Sequence, residues 1–167
     1  MVHDIFDIKQ KYIMFYDNFG SKGSKIKIDT VLNYIKEGYY LNTVEDAREE
    51  RLSNGKTEKY NSIKGKLPLV NWQGVFSKRG KDNLIESSNL VFVDIDHYDE
   101  SIFLDIHEVK IRLINQFKNS IVACWDSVSG KGLGMLILSR FENNNEYNNI
   151  FNSISNLIDA FINGDIN

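Results

Sequence analysis

The stretch N-L-V-F-V-D-I-D-H, residues 89–97, is a short apolar run that ends in two carboxylates. Its apolar and β-branched residues predict a buried central strand. Asp94 and Asp96 are two residues apart, so both side chains point to one face of the strand, with their backbones about 7 Å apart. Two like charges on one face are costly unless they are neutralised, and carboxylate oxygens bind divalent cations. The spacing therefore predicts a metal site; the alternative is a strand that runs into a solvated turn with both acids exposed.

A second motif, S-V-S-G-K-G-L-G at residues 127–134, follows about thirty residues later. It is not a P-loop, because a P-loop ends in Gly-Lys-Ser/Thr and leads into a helix, whereas a strand is predicted here from Leu133. Its chemistry still suits a phosphate, since glycines allow close backbone approach, hydroxyls and amides donate hydrogen bonds and a lysine adds charge. An ordinary glycine-rich hairpin is the alternative, but the neighbouring acidic pair favours nucleotide binding. The candidate nucleotide-binding residues are Ser127, Ser129, Gly130, Lys131 and Gly132.

The composition restricts the classes of partner. The 167 residues carry 20 Lys and Arg against 23 Asp and Glu, a net charge of −3, so nucleic-acid binding would need a local basic patch. Cys124 is the only cysteine, which excludes an intrachain disulfide and favours a cytoplasmic location. The N-terminus shows no signal-peptide pattern, and no window is apolar enough for a membrane span, so we expect no membrane partner.

Two charged regions are candidates for such a patch. The first comprises two predicted helices, 43–54 and 57–64, with the turn that follows them, and the second is the loop 77–81. In both, the alternative is a solvated surface with no ligand. Arg79 in the loop is a further candidate for binding a triphosphate. The basic residues concerned are Arg48, Arg51, Lys64, Lys66, Lys78, Arg79 and Lys81.

The order of predicted elements indicates an α+β fold. Residues 1–88 begin with a hairpin over 11–28 and are expected to form an N-terminal α/β extension packed on a core. Residues 89–167 predict a core of strand, helix, strand, strand and helix, with a hairpin joining the last two strands. These are five of the six elements of a ferredoxin-like or RNA-recognition-like split βαβ unit. Its helices are expected at 101–118 and 147–162. The final strand is missing, so we expect either a fragment of a longer protein or a sheet completed by an N-terminal strand.

The paired motifs resemble the archaeo-eukaryotic primase (prim-pol) superfamily. V-F-V-D-I-D-H at 91–97, followed by S-V-S-G-K-G-L-G before an apolar strand, is similar to the primase-like VirE-type N-terminal domain. That domain occurs in bacterial, phage and mobile-element proteins, often fused to a helicase-like region. K-L-P-L-V-N-W-Q-G-V-F at 66–76 is similar to the segment before its acidic strand, so the resemblance covers about residues 10–160.

This resemblance implies a metal-dependent nucleotidyltransferase that acts in DNA replication or mobile-element maintenance. Asp94 and Asp96 match the catalytic acidic pair, which would hold Mg²⁺ or Mn²⁺, and the glycine loop matches the region near the incoming triphosphate. The implied partners are a nucleoside triphosphate, single-stranded or primer-template DNA, and a helicase domain or protein. Two positions depart from the pattern: Gly134 stands where active members commonly have His, and Asp165 is the only nearby counterpart of an expected third carboxylate.

Two other functions are compatible with the residues. Gly134 and the missing strand are also expected of a catalytically degenerate domain that binds nucleic acid or a replication partner. A metal-dependent nuclease is the second alternative, because aspartate pairs and a lysine also serve hydrolysis.

Overall fold

The computed structural model describes residues 5–18, 20–78 and 83–165, which form a mixed α+β structure with antiparallel sheets, as the sequence predicts. The helices are α1 (Ile5–Lys9), α2 (Ile28–Lys36), α3 (Leu41–Asn54), α4 (Glu58–Lys64), α5 (Ile106–Phe117) and α6 (Asn144–Ile162). The strands are β1 (Tyr12–Tyr16), β2 (Ser24–Lys27), β3 (Leu69–Asn71), β4 (Gly74–Phe76), β5 (Leu84–Ser87), β6 (Leu90–Ile95), β7 (Ile121–Asp126) and β8 (Leu133–Leu138). Within these described ranges, no helix has the length and apolarity needed to cross a bilayer.

The chain divides into two compact units. The first contains residues 1–88 together with 128–130, and the second contains residues 89–127 and 131–167. Asn89, the first residue of the second unit, has a φ of 63°. This left-handed conformation is uncommon outside glycine, although asparagine adopts it more readily than most residues. The main boundary thus coincides with a residue in the left-handed conformation just before β6.

The first unit contains a three-stranded antiparallel sheet in the order β2-β1-β3 and a two-stranded sheet of β4 and β5. The predicted hairpin is confirmed, since Ile13 of β1 pairs with Ile26 of β2. The extended segment is interrupted near Gly74, because β3 ends at Asn71 and β4 starts at Gly74. Gly74 has a φ of 149°, and a Cβ there would collide with the carbonyl oxygen of Glu86 on β5. The absence of a side chain is therefore what allows β4 and β5 to pair at this point.

The second unit contains an antiparallel sheet in the order β6-β8-β7. Helix α5 connects β6 to β7, and β8 lies between these two strands. Val109 and Leu113 of α5 are fully buried, as are Leu133 and Met135 of β8. Helix α6 contacts β6, and its residue Phe161 packs against Phe103 at a ring-centroid distance of 6.1 Å. The two helices thus supply apolar cover for this sheet.

Helix α5 begins at Ile106, five residues later than predicted. The Asp105 carboxylate accepts a hydrogen bond from the Glu108 N–H at 2.8 Å, and the Glu108 carboxylate accepts one from the Leu104 N–H at 2.7 Å. This reciprocal capping fixes the start of the helix. Ser101 is held in a separate turn, where its N–H and hydroxyl both donate to Asp99. Apolar spacing alone predicts a continuous helix here, whereas local side-chain bonds end it.

A buried carboxylate joins α3 to α4 in the first unit. The Glu50 side chain is only 6% exposed and lies 2.6 Å from the Lys59 ammonium. Thr57 and Asn54 also donate hydrogen bonds to it, at 3.0 and 3.1 Å. The bonds from Lys59, Thr57 and Asn54 hold the pKa of the Glu50 carboxyl below its ordinary value, although burial acts in the opposite direction. The charged form of Glu50 is therefore the one that stabilises the helix pair.

We predict that Glu50→Gln lowers the melting temperature at neutral pH and that the deficit disappears in acid. Because the folded-state pKa of Glu50 is lowered, its stabilising effect is complete above the unfolded pKa of about 4.3 and is lost as the pH falls through the folded pKa. Thermal unfolding of both proteins between pH 7 and pH 3 tests this. Glu49→Gln, at the exposed neighbouring position, is the matched control. An equal deficit in melting temperature at every pH would show that the Glu50 charge does not contribute to stability.

Candidate functional site

The acidic pair lies at the end of β6 as predicted. Val93 and Ile95 are buried, whereas Asp94 and Asp96 are exposed. This alternation places both aspartates on the same face, opposite the one that enters the core. In the sheet register Asp94 lies opposite Gly134 of β8. The two carboxylates are thus accessible from one side of the sheet.

Gly132 brings the glycine loop against the end of β6. A Cβ at this position would collide with the carbonyl oxygen of Ile95 and would lie 3.3 Å from Oδ1 of Asp96. The loop is closed by a hydrogen bond from the Ser127 N–H to the Gly132 carbonyl oxygen at 2.8 Å. Lys131, next to Gly132, is exposed. The second unit therefore brings together Asp96, Ser127 and Gly132, with Lys131 adjacent in the chain.

The tip of the loop, residues 128–130, belongs to the first unit. There the Arg48 Nε donates a hydrogen bond to the Val128 carbonyl oxygen at 3.3 Å. Gly130 has a φ of 69°, and a Cβ built on it would lie 3.5 Å from the Arg48 Nε. Ser129 and Gly130, both candidate phosphate ligands, are thus grouped with a guanidinium. Sequence reasoning placed Arg48 in a basic patch and did not identify this contact, which joins residues 80 positions apart.

The other basic candidates lie in several environments. Arg51 packs over the ring of Tyr60, with its Cζ 5.7 Å from the ring centroid. Lys64, Lys66 and Lys78 are exposed. Arg79, the predicted triphosphate ligand, lies outside the described residues, as does Lys81. Of the predicted basic residues that the structure describes, Arg48 is the one that donates a hydrogen bond to the glycine loop.

Trp125 occupies the space next to Gly134. In the register of the sheet, Trp125 on β7 lies opposite Gly134 on β8. A Cβ at Gly134 would lie only 2.7 Å from Cε2 of the indole. A histidine at this position, as in the family resembled, would therefore collide with the indole in its present conformation. Sequence reasoning missed Trp125, because only the strand pairing shows that its ring lies over this glycine.

The acidic pair has no third carboxylate grouped with it among the described residues. No cluster of three or more histidine, cysteine, aspartate or glutamate side chains with metal-binding geometry occurs in that part of the chain. Asp165 lies just after α6, with its N–H bonded to the carbonyl of Ala160. Asp126 at the end of β7 forms an ion pair with Lys110 at 2.9 Å. Two carboxylates are nevertheless a common donor set for Mg²⁺, which keeps several waters and often uses substrate phosphates as its remaining ligands.

A family model described as "BT4734-like, N-terminal domain" matches residues 62–163, which is more than half of the chain. The matched region contains both the acidic pair and the glycine loop. No curated protein matches the chain, and no solved structure does.

We predict that the close packing of Trp125 makes Gly134→Ala destabilising. Overpacking at this contact is expected to lower the free energy of unfolding by about 1–3 kcal/mol. In a Trp125→Ala background the same change should cost much less, because the colliding ring is gone; urea denaturation of the four proteins measures the coupling. Gly20→Ala is the control, since its Cβ would have no neighbour closer than 3.7 Å. Equal costs in both backgrounds would mean that the indole does not restrict position 134.

Proposed function

We propose that this chain, which belongs to the BT4734-like N-terminal domain family, is a primase-polymerase-type nucleotidyltransferase domain that adds nucleotides to a DNA strand. The observation that carries the proposal is the contact between the end of β6 and the glycine loop. It places a pair of exposed carboxylates beside a backbone segment suited to phosphate, and this combination serves metal-assisted nucleotidyl transfer.

The strand order of the second unit supports the proposed fold. A split βαβ unit has an inserted strand between two strands that a helix connects, and β8 lies between β6 and β7, which α5 connects. We propose that β6, α5, β7, β8 and α6 form the βαββα part of a ferredoxin-like core. In this sheet β6 is at the edge, and the final strand of such a core would pair beside it.

In this proposal Asp94 and Asp96 hold Mg²⁺ or Mn²⁺. Both are exposed on one face, and carboxylate oxygens suit these hard cations. When bound, the cation would neutralise charge on the phosphate oxygens during in-line attack by a 3′-hydroxyl. The protein's own contribution is to hold the two carboxylates at a fixed strand end, where β8 and the buried side chains of Val93 and Ile95 restrict their movement.

The triphosphate would lie against the loop. The proposed roles of Ser127 and Lys131 are a hydroxyl donor and a positive charge, and the missing side chain at Gly132 would leave the backbone accessible. Ser129, Gly130 and Arg79 remain predicted nucleotide ligands. Primer-template or single-stranded DNA and a helicase domain or protein are the proposed macromolecular partners.

We predict that Asp94→Asn and Asp96→Asn each reduce metal-dependent incorporation by about 100-fold or more, because each removes a ligand of a cation that contributes several kcal/mol to the transition state. The measurement is extension of a labelled primer on a DNA template, with nucleoside triphosphates and Mn²⁺. Asp159→Asn, at an exposed position of α6, is the control and should retain the wild-type rate. Wild-type rates in both site variants would exclude a catalytic role for the acidic pair. Shortening of the labelled strand, lost in both variants, would instead indicate the nuclease.

The second candidate function is a binding module without catalysis. The observation that favours it is the position of the Trp125 indole, which fills the space where active members of the resembled superfamily commonly have histidine. Such a domain would bind DNA, and its affinity would depend on contacts to phosphate.

For this module we predict DNA binding without incorporation by the wild-type chain. The logarithm of the association constant for single-stranded DNA should fall linearly with the logarithm of the salt concentration, and Lys131→Ala should reduce the slope by about 0.7, the value for one lost phosphate contact. Fluorescence anisotropy between 50 and 200 mM salt measures both slopes. Lys118→Ala is the control, because Lys118 precedes β7 and so lies at the other end of that strand from the loop. Equal slopes for the wild type and Lys131→Ala would argue against a phosphate contact there.

A further inference from the structure

Two aromatic rings flank the acidic pair on the same face of the sheet. Phe92 precedes Asp94 by two residues, and Trp125 lies in register with Gly134, the partner of Asp94. The two rings are stacked, with centroids 5.8 Å apart and planes inclined by 17°. Two strand spacings place the backbone of Trp125 about 10 Å from that of Asp94. This face therefore carries a charged end and an apolar end within the length of a small molecule.

The face that carries the rings is covered in part: Leu136, the strand partner of Phe92, is fully buried on it. On the opposite face of the same strands, Val93 and Ile95 are buried, with no more than 5% exposed. Phe92 and Trp125 are only half-buried. Large aromatic side chains that remain partly accessible beside charged groups are typical of ligand sites, where a rigid ring offers contact area at little entropic cost. The position of these rings beside the carboxylates points to a ligand that is apolar at one end and charged at the other.

We infer that the ligand of this site carries an aromatic ring that packs on Trp125, supported by Phe92, while its phosphates lie at the Asp94, Asp96 and Lys131 end. The inference rests on the proposed function and deepens it: it names Trp125 as the residue that would hold the base of the nucleotide, which the proposed phosphate and metal contacts leave unassigned. Trp125 acts as a binding residue and takes no part in the chemistry. Since every base has a π-face, stacking of this kind tolerates different bases.

The experiment compares ATP with inorganic tripolyphosphate, each with Mn²⁺, by titration calorimetry on the full chain. The two ligands share the triphosphate group and differ in the nucleoside, so their ratio of affinities isolates the contribution of the base and sugar. The wild type should bind ATP at least tenfold more tightly. Trp125→Leu should weaken ATP binding by about tenfold, as expected for a lost stacking contact, and should leave tripolyphosphate binding unchanged. Trp125→Phe should retain most of the affinity for ATP.

Control variants and the opposite outcomes separate this inference from the proposed function. Tyr39→Leu removes an aromatic side chain that is 69% exposed in the first unit, and it should change neither affinity. Binding of tripolyphosphate by Trp125→Leu also reports that this variant is folded; if it does not fold, the ratio of the two affinities in the wild type decides. Equal affinity of the wild type for ATP and tripolyphosphate would overturn the inference and leave the metal and phosphate site standing. Absence of binding of either ligand with Mn²⁺ would overturn both.

Discussion

The candidate site depends on close approaches at two glycines, Gly132 against the end of β6 and Gly134 against a side chain of β7. At Gly132 a side chain would collide with the backbone of Ile95, and at Gly134 it would collide with the indole of Trp125. The first contact holds the loop against Asp96, and the second leaves room for the aromatic pair. Both positions lie in or next to one strand, β8, which pairs on both sides. The acidic residues, the loop and the rings therefore depend on the same short stretch of backbone.

Much of the fold and of the candidate site could be predicted from the sequence because the signals are local. The alternation over residues 90–96 predicts which aspartates share a face, and the structure confirms that assignment. Helix starts were predicted less well, since the apolar spacing continues past the point where Asp105 and Glu108 cap α5. Their spacing, an acid three residues before a glutamate, is itself a known capping signal and was available in the sequence. The short elements α1 and β5 were not predicted, because so few residues carry little periodicity.

The remaining features depend on contacts between distant residues. Arg48 is separated from Val128 by 80 positions, and no pattern around either residue indicates that they meet. The same holds for Trp125, since its place over Gly134 follows only from the pairing of β7 with β8. Glu50 is an intermediate case: charge in a helix usually indicates a solvated face, yet here Thr57, Asn54 and Lys59 satisfy the carboxylate well enough for burial. Sequence patterns predicted the carboxylates and the loop, but not the side chains that position them.

The strand order β6-β8-β7 also has a consequence for the time at which the site can assemble. β6 pairs with β8, which is the last of the three strands to leave the ribosome, so the acidic strand has no partner in its sheet until residue 138 has been synthesised. Pairing strands that are about 40 residues apart requires a larger entropic loop closure than forming a hairpin, and it slows folding. During synthesis, the two carboxylates and the glycine loop are therefore not held together by strand pairing until all three strands of this sheet have emerged. The order of the strands thus makes the site one of the last features of this sheet to form.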